Sequence, residues 1–405
     1  MFCANGVKKQ GADVDSSNRI NSKTDEISSK LIGIRRQIHQ NPELGFEEFE
    51  TAKLITGHLE SLGLSCRTGV GKTGVIAVIE GSKPGKTLAI RADMDCLPVH
   101  EETGLPFASK KDGLMHACGH DMHSAILLGV AEVLFGLRDE MAGRVKLIFQ
   151  PNEEGLTGAT SMIADGVFDD PPIDMCLGYH NWPPLAAGTV GYHPDVCFSS
   201  SDAFDLTIIG RSGHAAHPHL AIDAITAAAY FVTQLQTVVS REILPVHPAV
   251  VSVGVFQGGT ARNILPEKVL LQGTVRTQNQ AAKDCIAAAM KRLLDGFKAG
   301  MRIDYELDYQ PGVPILRNDQ EVLASVLDST RAVIGTENLI ELPEGSMGSE
   351  DFAFFTERFP SAHLRIGSKI DGLDTGLHRS NFDCNEDTIP IGVRVVSQAA
   401  IDLLS

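Results

Sequence analysis

Apolar residues at helical spacing form the first regular pattern in the chain. They recur every three or four positions near its beginning, at Ile27, Leu31, Ile34 and Ile38. This spacing predicts an amphipathic helix that ends before Asn41-Pro42, and a second helix is predicted over about residues 47–62. Residues 1–25 are polar and aperiodic and lack the apolar run of a signal peptide, so we expect a disordered leader there.

Short apolar runs rich in β-branched residues follow, and each predicts a strand. They lie at residues 75–79, 88–92, 145–149 and 175–178. Helical patterns at residues 124–137 and 160–165 separate them. Strands and helices that alternate in this way predict an α/β domain built on a largely parallel sheet.

The pattern changes at about Val196. From there it predicts a strand, a helix, two strands, a helix and a strand, at residues 202–210, 222–239, 249–256, 269–277, 280–298 and 302–309. This β-α-β-β-α-β order is typical of a ferredoxin-like unit. After the leader, we therefore predict a first domain in two parts, 26–195 and 311–405, with a second domain, 196–310, inserted between them.

Composition narrows the range of functions. The chain has 405 residues, which favours two domains, and its net charge of −16 argues against nucleic acid or an anionic membrane as a partner. No segment has the apolar length needed to cross a bilayer. The 8 cysteines show no framework spacing in a chain of this size, which favours reduced thiols and a cytoplasmic protein.

The stretch from Met115 to His123 carries the densest chemistry. It contains three histidines, one cysteine and one aspartate, side chains that bind divalent transition metals. Cys118 and His120 lie two residues apart, so in an extended turn both can ligate one ion or a close pair. His116 and His123 compete with them as ligands, and we expect them behind the ligands or facing the helix. An isolated Cys-x-His pair is more often a buried thiol beside an unrelated imidazole, but clusters downstream favour a metal site.

Further polar residues follow the predicted strands of the first domain: Asp93 and Asp95, Glu153 and Glu154, and His180. Taken singly, each would be an ordinary solvated acid or polar loop residue. Because ligands gather at the carboxyl ends of parallel strands, we expect these residues to form one site. One of the two adjacent glutamates can bind metal while the other takes a proton from water. An aspartate at this edge can hold a ligand histidine in one tautomer.

The inserted segment adds weaker candidates. His214 lies in the histidine-rich stretch 210–219 and can stabilise a developing oxyanion. Asn263 and Arg276 offer donors suited to a carboxylate. Turn chemistry alone would also explain the glycines around them, and Arg276 would serve equally in a surface ion pair.

Motifs that contain these residues follow one another over about residues 26–405. They are HQNPELGFEEFET, RADMDCLPV, MHACGHDMH, FQPNEEG, GYHNWP, GRSGHAAHPH, GGTARNILPE, GTVRT, MGSEDFAFF and GLHRSNFD. In this order they resemble the co-catalytic metallopeptidases, which include aminoacylases, hippurate hydrolases, plant auxin-conjugate amidohydrolases and glutamate-releasing carboxypeptidases. The chain is most similar to the aminoacylase and hippurate-hydrolase branch.

The resemblance implies a fold and a metal centre. The expected fold class is α/β: a phosphorylase/hydrolase-like mixed-sheet catalytic domain with an inserted ferredoxin-like α+β dimerisation domain. Two divalent metal ions per subunit are implied, with zinc or manganese expected and cobalt or nickel as alternatives. The implied metal ligands are Cys118 as the bridging ligand, His120, Glu154, His180 and His378.

The resemblance also implies roles for residues around the metals. Glu153 would be the general base, and Asp95 would orient a ligand from behind. His214 would reach the active site of the partner subunit in a homodimer and act there as an electrophile. Asn263 and Arg276 would contact the carboxylate of the substrate.

Three positions depart from the family pattern. Asp93 stands where the wider family has a metal-binding histidine, which fits the branch that uses Cys118 and His120 instead. Cys96 stands where the branch usually has alanine, and a thiol there is either inert or sensitive to oxidation. The segment GLHRSNFDCNED also differs from the usual C-terminal motif, which leaves substrate contacts there open but not the ligand His378.

The expected function is the hydrolysis of an N-acyl amino acid to a carboxylate and a free amino acid. The alternatives are a dipeptidase or carboxypeptidase of the same family and, in another class, a non-catalytic binding protein on the same fold. The binding protein is disfavoured because this chain fills every expected ligand position and keeps Glu153.

Overall fold

The computed structural model describes residues 6–374 and 376–405, with side chains from Ser16 onward. The helices are α1 (Gly6–His39), α2 (Phe49–Ser61), α3 (His120–Leu137), α4 (Gly158–Ala164), α5 (Ala224–Arg241), α6 (Gln280–Met301), α7 (Gln320–Ile334), α8 (Ala353–Thr356) and α9 (Thr388–Leu403). The strands are β1 (Cys66–Val70), β2 (Gly74–Glu80), β3 (Lys83–Asp93), β4 (Ala142–Gln150), β5 (Met175–Ala186), β6 (Val190–Tyr192), β7 (Val196–Phe198), β8 (Ser200–Ile209), β9 (Gly213–His214), β10 (Ala249–Gly258), β11 (Ile264–Leu265), β12 (Lys268–Thr277), β13 (Asp304–Val313), β14 (Leu316–Arg317), β15 (Leu339–Glu341) and β16 (Ser361–Lys369). Within these described residues, no helix combines the length and apolarity of a membrane span.

The contacts divide the chain into two compact units. Unit 2 consists of Val196–Leu316 and Gly345–Ala353, and unit 1 contains the rest of the described chain. The first boundary falls where the sequence pattern changes. The second falls at residue 316 rather than 310, and residues 345–353, which the sequence assigns to the catalytic domain, belong to unit 2. They do so because the backbone N–H of Ser199 donates to the carbonyl oxygens of Ser346 and Gly348.

A mixed eight-stranded sheet forms the centre of unit 1. Its strand order is β1-β2-β4-β3-β5-β16-β6-β15. The central strands β4, β3, β5 and β16 are parallel to one another, while β1, β2 and β6 run antiparallel to their inner neighbours. β3 is buried along its whole second half, from Thr87 to Asp93. This continuous burial is typical of a parallel strand that is covered on both faces.

Helix α3 is the helix around which unit 1 packs. Its first three turns, from His120 to Ala131, are buried on all sides because α1, α9 and β3 lie against it. Gly129 marks the closest approach of these helices. A Cβ atom at this position would lie 2.5 Å from Val393 Cγ2 on α9 and 2.6 Å from Leu31 Cδ1 on α1.

The disordered leader expected over residues 1–25 is corrected by the structure. Helix α1 begins at Gly6, and residues 1–5 lie outside the described part of the chain. Ile20 and Ile27 are 1% and 3% exposed and continue the apolar stripe of α1 toward its beginning. The sequence hides this part of the stripe because Ile20 is the single apolar residue among positions 16–25, too few to show a helical period.

The ferredoxin-like order that the sequence predicts is present in unit 2. β8, α5, β10, β12, α6 and β13 follow one another, and the strands form an antiparallel sheet of order β10-β12-β8-β13. Alternate residues of β8 are buried, as the two-residue period of a strand requires. Helix α5 begins where the Asp223 side chain accepts the backbone N–H of Thr226, and Asn279 caps α6 in the same way.

Substitution of the two glycines of α3 tests the packing at its centre. We expect Gly129→Ala to lower the free energy of unfolding by about 1–3 kcal/mol, because the new methyl group overlaps Val393 and Leu31. Gly136 has no atom within 4 Å of its Cβ position. Gly136→Ala is therefore the matched control and should raise the free energy of unfolding by about 0.5–1 kcal/mol. Chemical denaturation followed by circular dichroism measures both, and equal effects would contradict this packing.

Candidate metal centre

Segments from four parts of unit 1 bring metal-binding side chains together. These side chains are Cys118, His120, Glu153, Glu154, His180 and His378. Ligand atoms of Cys118, His120 and His180 lie within 4.8 Å of one another. The same distance limit encloses a group of Cys118, Glu154 and His378 and a group of His120, Glu153 and Glu154. The structure thus brings together every metal ligand that the resemblance implies.

Cys118 lies between two of these groups. Its Sγ atom is 3.4 Å from His180 Nε2 on one side. On the other side His378 Nε2 is 3.3 Å from Glu154 Oε1, and both belong to the second group that contains Cys118. The backbone N–H of His378 also donates to the carbonyl of Ala117 at 2.8 Å, which ties its loop to this position. A thiolate placed in this way can contact two ions.

The surroundings of His120 fit a divalent ion. Its Nδ1 atom lies 3.0 Å from Asp95 Oδ1 and donates to that carboxylate. Its Nε2 atom is buried and has no hydrogen-bond partner among the described residues. It lies 3.9 Å from both Glu153 Oε2 and Glu154 Oε1, too far for a hydrogen bond. This spacing suits donors that share one ion, since metal–nitrogen and metal–oxygen bonds are each about 2 Å long.

Burial and charge set the protonation of the candidate ligands. Burial raises the pKa of the Cys118 thiol well above its usual value, and Glu154 and Glu153 add to the effect. Burial also lowers the pKa of His180, which keeps its imidazole neutral and its lone pair available. Burial opposes protonation of His120 as well, but Asp93 and Asp95 outweigh it and raise its pKa to about 10. A divalent cation must therefore displace protons from Cys118 and His120.

His120 and His180 lie inside regular elements rather than beside them. α3 begins at His120, earlier than the predicted residue 124. β5 continues to Ala186, past the predicted end at residue 178, and His180 and Asn181 are buried within it. Sequence patterns place the end of a strand at its first polar residues. Here those residues are buried inside the strand, and His180 Nε2 lies 3.4 Å from Cys118 Sγ.

The first turn of α3 is held by Arg35 and His39 of α1, to which the sequence analysis assigned no role. Arg35 Nε donates to Asp121 Oδ2 at 2.7 Å, and His39 Nδ1 donates to the same oxygen at 2.8 Å. All three side chains are fully buried. The signal in the sequence is that Arg35 and His39, four positions apart, lie among the apolar residues of the α1 stripe. Their neighbour His116 is buried too, and burial lowers its pKa to about 3.

Glu48 is a second residue that sequence reasoning missed. Its carboxylate accepts the backbone N–H of Asn152 at 2.9 Å and the hydroxyl of Thr73. Asn152 directly precedes Glu153 and has a left-handed φ of 50°. Gly45 leaves room for it, since a Cβ there would lie 1.8 Å from Asn152 Oδ1. Burial raises the pKa of Glu48 to about 7, because the hydrogen bonds from Thr73 and Asn152 offset the cost of burying its charge only in part.

The three candidates of the inserted segment lie in unit 2. His214 is exposed in β9, and the backbone N–H of Ala215 beside it donates to the carbonyl of Asn263 at 3.0 Å. His214 and Asn263 are therefore on neighbouring segments. Arg276 is partly buried on β12, where burial lowers its pKa although Asp202 opposes the shift. The roles that the resemblance implies for these residues stay predictions.

The sequence matches known proteins over most of its length. Residues 89–402 match the profile of the family described as peptidase family M20/M25/M40. The chain is 39% identical to an N-acetyl-L-cysteine deacetylase of Bacillus subtilis (strain 168), over 93% of this chain and 88% of the relative. It is 35% identical to thermostable carboxypeptidase 2 of Saccharolobus solfataricus, over 96% of this chain and 99% of the relative.

A solved structure matches the fold as well. The crystal structure of a Bacillus subtilis protein, described as a dinuclear metal-binding peptidase from the M20 family, superposes with a TM-score of 0.81. The two sequences are 34% identical, and the match covers 94% of this chain and 99% of that chain.

Substitution of Glu48 tests whether this carboxylate holds the loop that carries Glu153. We expect Glu48→Ala to lower kcat roughly 10- to 100-fold with little change in KM, because the loop loses the partner of its backbone N–H. Glu48→Gln keeps an acceptor oxygen and should retain most of kcat. Steady-state kinetics and the Tm of each variant measure these effects.

Glu43 provides a matched control for Glu48. It is buried on the same segment, but its carboxylate accepts the backbone N–H groups of Glu50 and Thr51 at the start of α2. Glu43→Ala should lower Tm and leave kcat within about threefold of the parent. Equal losses of kcat in the two alanine variants would show that Glu48 acts through stability alone.

Proposed function

The chain belongs to peptidase family M20/M25/M40 and is a hydrolase of that family, and on this basis we propose that it hydrolyses N-acyl amino acids. The products would be a carboxylate and a free amino acid. The observation that carries the proposal is the juxtaposition of Glu153 with a full set of metal-binding side chains, of which Cys118, His120 and His180 are buried. The similarity to an N-acetyl-L-cysteine deacetylase supports the substrate class.

We propose that two divalent ions bind to this set, with Cys118 between them. The proposed ligands are Cys118, His120, Glu154, His180 and His378. When bound, the ions would polarise the amide carbonyl and make a water molecule more acidic. A thiolate favours zinc among the common ions, and a mixed carboxylate and imidazole set also accepts manganese, cobalt or nickel.

Glu153 is the proposed general base. Its side chain is buried and lies 3.9 Å from the unpartnered Nε2 of His120. Its carboxylate would take a proton from the attacking water and pass it to the leaving amine as the C–N bond breaks. One water is consumed, and its oxygen ends in the carboxylate product.

Asp95 is the proposed orienting residue. Its Oδ1 accepts from His120 Nδ1, and its Oδ2 accepts the backbone N–H of Glu154 at 3.0 Å. One carboxylate thus holds two of the proposed ligands and leaves the Nε2 of His120 for the ion.

The proposal includes a homodimer formed through unit 2. β10 lies at the edge of its sheet and exposes Val250, Val255 and Phe256, while α5 exposes Tyr230. An apolar edge strand of this kind favours pairing with another chain. His214 would then stabilise the oxyanion in the partner's site, and Asn263 and Arg276 would contact the substrate carboxylate.

We also propose a cytoplasmic location. It is supported by the free thiols of the cysteines that the structure describes between Cys66 and Cys384, since oxidising compartments favour disulfides.

A carboxypeptidase or dipeptidase is the second candidate. It is favoured by the 35% identity to a thermostable carboxypeptidase over nearly the whole of both chains. The chemistry at Glu153 and the metals would be unchanged, and only the group on the acyl side of the cleaved bond would differ.

A hydrolysis screen tests the proposed substrate class. The purified protein is stripped of metal with a chelator, restored with zinc, manganese or cobalt, and given acetyl, benzoyl, long-chain and indole-acetyl amino acids. We expect release of the free amino acid only after metal is restored. Turnover of unblocked dipeptides or longer peptides alone would favour the second candidate. A lack of turnover on every substrate, with metal bound, would contradict both.

Two variants separate metal binding from proton transfer. We expect Glu153→Gln to keep its metal content and lose roughly 100- to 10,000-fold in kcat, because the amide cannot take the proton of water. Cys118→Ala should instead lower the metal content, measured by elemental analysis after dialysis. Substantial turnover in Glu153→Gln, or an unchanged metal content in Cys118→Ala, would contradict the roles proposed for these residues.

A further inference from the structure

His123 lies within the metal centre, but both of its ring nitrogens are engaged. It is fully buried and forms a group of metal-binding type with Asp93 and His120. Its Nδ1 atom lies 2.6 Å from Asp93 Oδ1. Its Nε2 atom lies 2.8 Å from the backbone nitrogen of Asn181.

The groups around His123 fix its tautomer. A backbone N–H can only donate, so the Nε2 atom of His123 must accept through its lone pair. The side-chain Nδ2 of Asn181 is a second donor, 3.0 Å from the same atom. The ring proton therefore lies on Nδ1 and is donated to Asp93, whose other oxygen accepts from Arg91 at 2.8 Å. Neither nitrogen has a lone pair left for a metal ion.

Asn181 connects His123 to two of the proposed ligands. Its backbone carbonyl oxygen accepts from His180 Nδ1 at 2.6 Å, so the lone pair of His180 is on Nε2, which faces Cys118 Sγ. Its side-chain Nδ2 donates to the carbonyl of Cys118 at 2.6 Å. Gly119 permits this contact, because a Cβ there would lie 2.3 Å from Asn181 Nδ2. The position of Asn181 therefore determines how both ligands are presented.

We propose that His123 is a positioning residue of the metal centre and not one of its ligands. By accepting the backbone N–H of Asn181, it holds the residue that fixes the tautomer of His180 and anchors Cys118. Asp93 holds His123 in the tautomer that this requires. The proposal rests on the proposed function, since His180 and Cys118 are ligands only there.

Rotation of His123 toward an ion would disrupt this arrangement. The backbone N–H of Asn181 would lose its acceptor in a buried place, and Asp93 would lose a donor. Each of the two bonds therefore holds the ring in its present orientation. Outer partners of this kind typically change metal affinity or activity by roughly 10- to 100-fold when they are replaced.

Histidine tautomers in the parent protein provide the first test. The protein is labelled with ¹⁵N-histidine, stripped of metal and studied by long-range ¹H–¹⁵N correlation, with His123→Gln and His180→Ala used for assignment. We expect both His123 and His180 to carry their proton on Nδ1. A proton on Nε2 of His123 would overturn the proposal.

Zinc affinity of two variants provides the second test, by competition with a chromophoric chelator. His123→Phe keeps the planar shape of the ring and removes the acceptor. His123→Gln can place its amide oxygen where Nε2 lies and so keeps the acceptor for Asn181. We expect the phenylalanine variant to bind zinc roughly 10- to 100-fold more weakly than the parent, and the glutamine variant to recover most of that loss.

Two outcomes of this titration would overturn the proposal. Affinity within about twofold of the parent in His123→Phe would remove the positioning role. Loss of a whole equivalent of zinc in His123→Gln would make His123 a ligand. Circular dichroism and Tm establish that the variants are folded, and the tautomer measurement on the parent does not depend on them.

His58→Gln is the matched control for the loss of a buried imidazole. His58 lies on α2, 3.5 Å from Glu132 and apart from the metal-binding groups, so this variant should change Tm but not zinc affinity. His180→Ala tests the underlying ligand set. If His180→Ala keeps its full zinc content, the proposed function fails. If it loses zinc while His123→Phe binds normally, only the positioning role fails.

Discussion

The burial of many polar groups in one place is the constraint on which this structure depends. Asp93, His120, Asp121 and His123 are all fully buried, and such groups are tolerated only when partners satisfy them. Arg91 pairs with Asp93, and Arg35 on α1 pairs with Asp121. Two atoms of this cluster have no hydrogen-bond partner among the described residues: Asp121 Oδ1, whose carboxylate is paired with Arg35 through its other oxygen, and His120 Nε2. Of these two atoms, His120 Nε2 is the one that faces other candidate metal ligands, at 3.9 Å from Glu153 Oε2 and Glu154 Oε1, and is therefore the atom to which the proposed ion would bind.

Residues that are distant in the sequence hold the segments of the candidate site in place. The loop of Glu153 is fixed by Glu48, whose carboxylate lies 104 positions earlier in the chain than the Asn152 N–H that it accepts. The first turn of α3 is fixed by Arg35 of α1, so the first helix is part of the support of the site in unit 1. The positions of the proposed catalytic and metal-binding groups thus depend on residues to which no catalytic role is assigned. Rigid supports of this kind are what a metal centre needs to keep its geometry.

The sequence predicted the fold class, the ferredoxin-like order and the side chains that meet at the site. The α/β class and the ferredoxin-like order follow from the period of the apolar residues, and the grouping of Asp95, Glu154 and His180 follows from their places after predicted strands. The complete ligand set, with His378, was implied by the resemblance to the family. The sequence did not predict the roles that residues acquire through contacts between distant segments. The role of Glu48 requires Asn152, and the tautomer of His123 requires the backbone N–H of Asn181, neither of which has a signature in the residues themselves. The helical part of residues 1–25 was missed for the same reason, because it is stabilised by packing against α3 and α9 and not by a clear local pattern.

The contact between Gly119 and Asn181 restricts the substitutions that either position can accept. Any side chain at position 119 would overlap the amide of Asn181, whose Nδ2 lies 2.3 Å from the Cβ position. A smaller residue at position 181 would relieve the overlap but release the carbonyl of Cys118. Neither position can therefore change first without harm to the metal centre. Although they lie on distant segments of the chain, a substitution at one of these two residues requires a compensating substitution at the other.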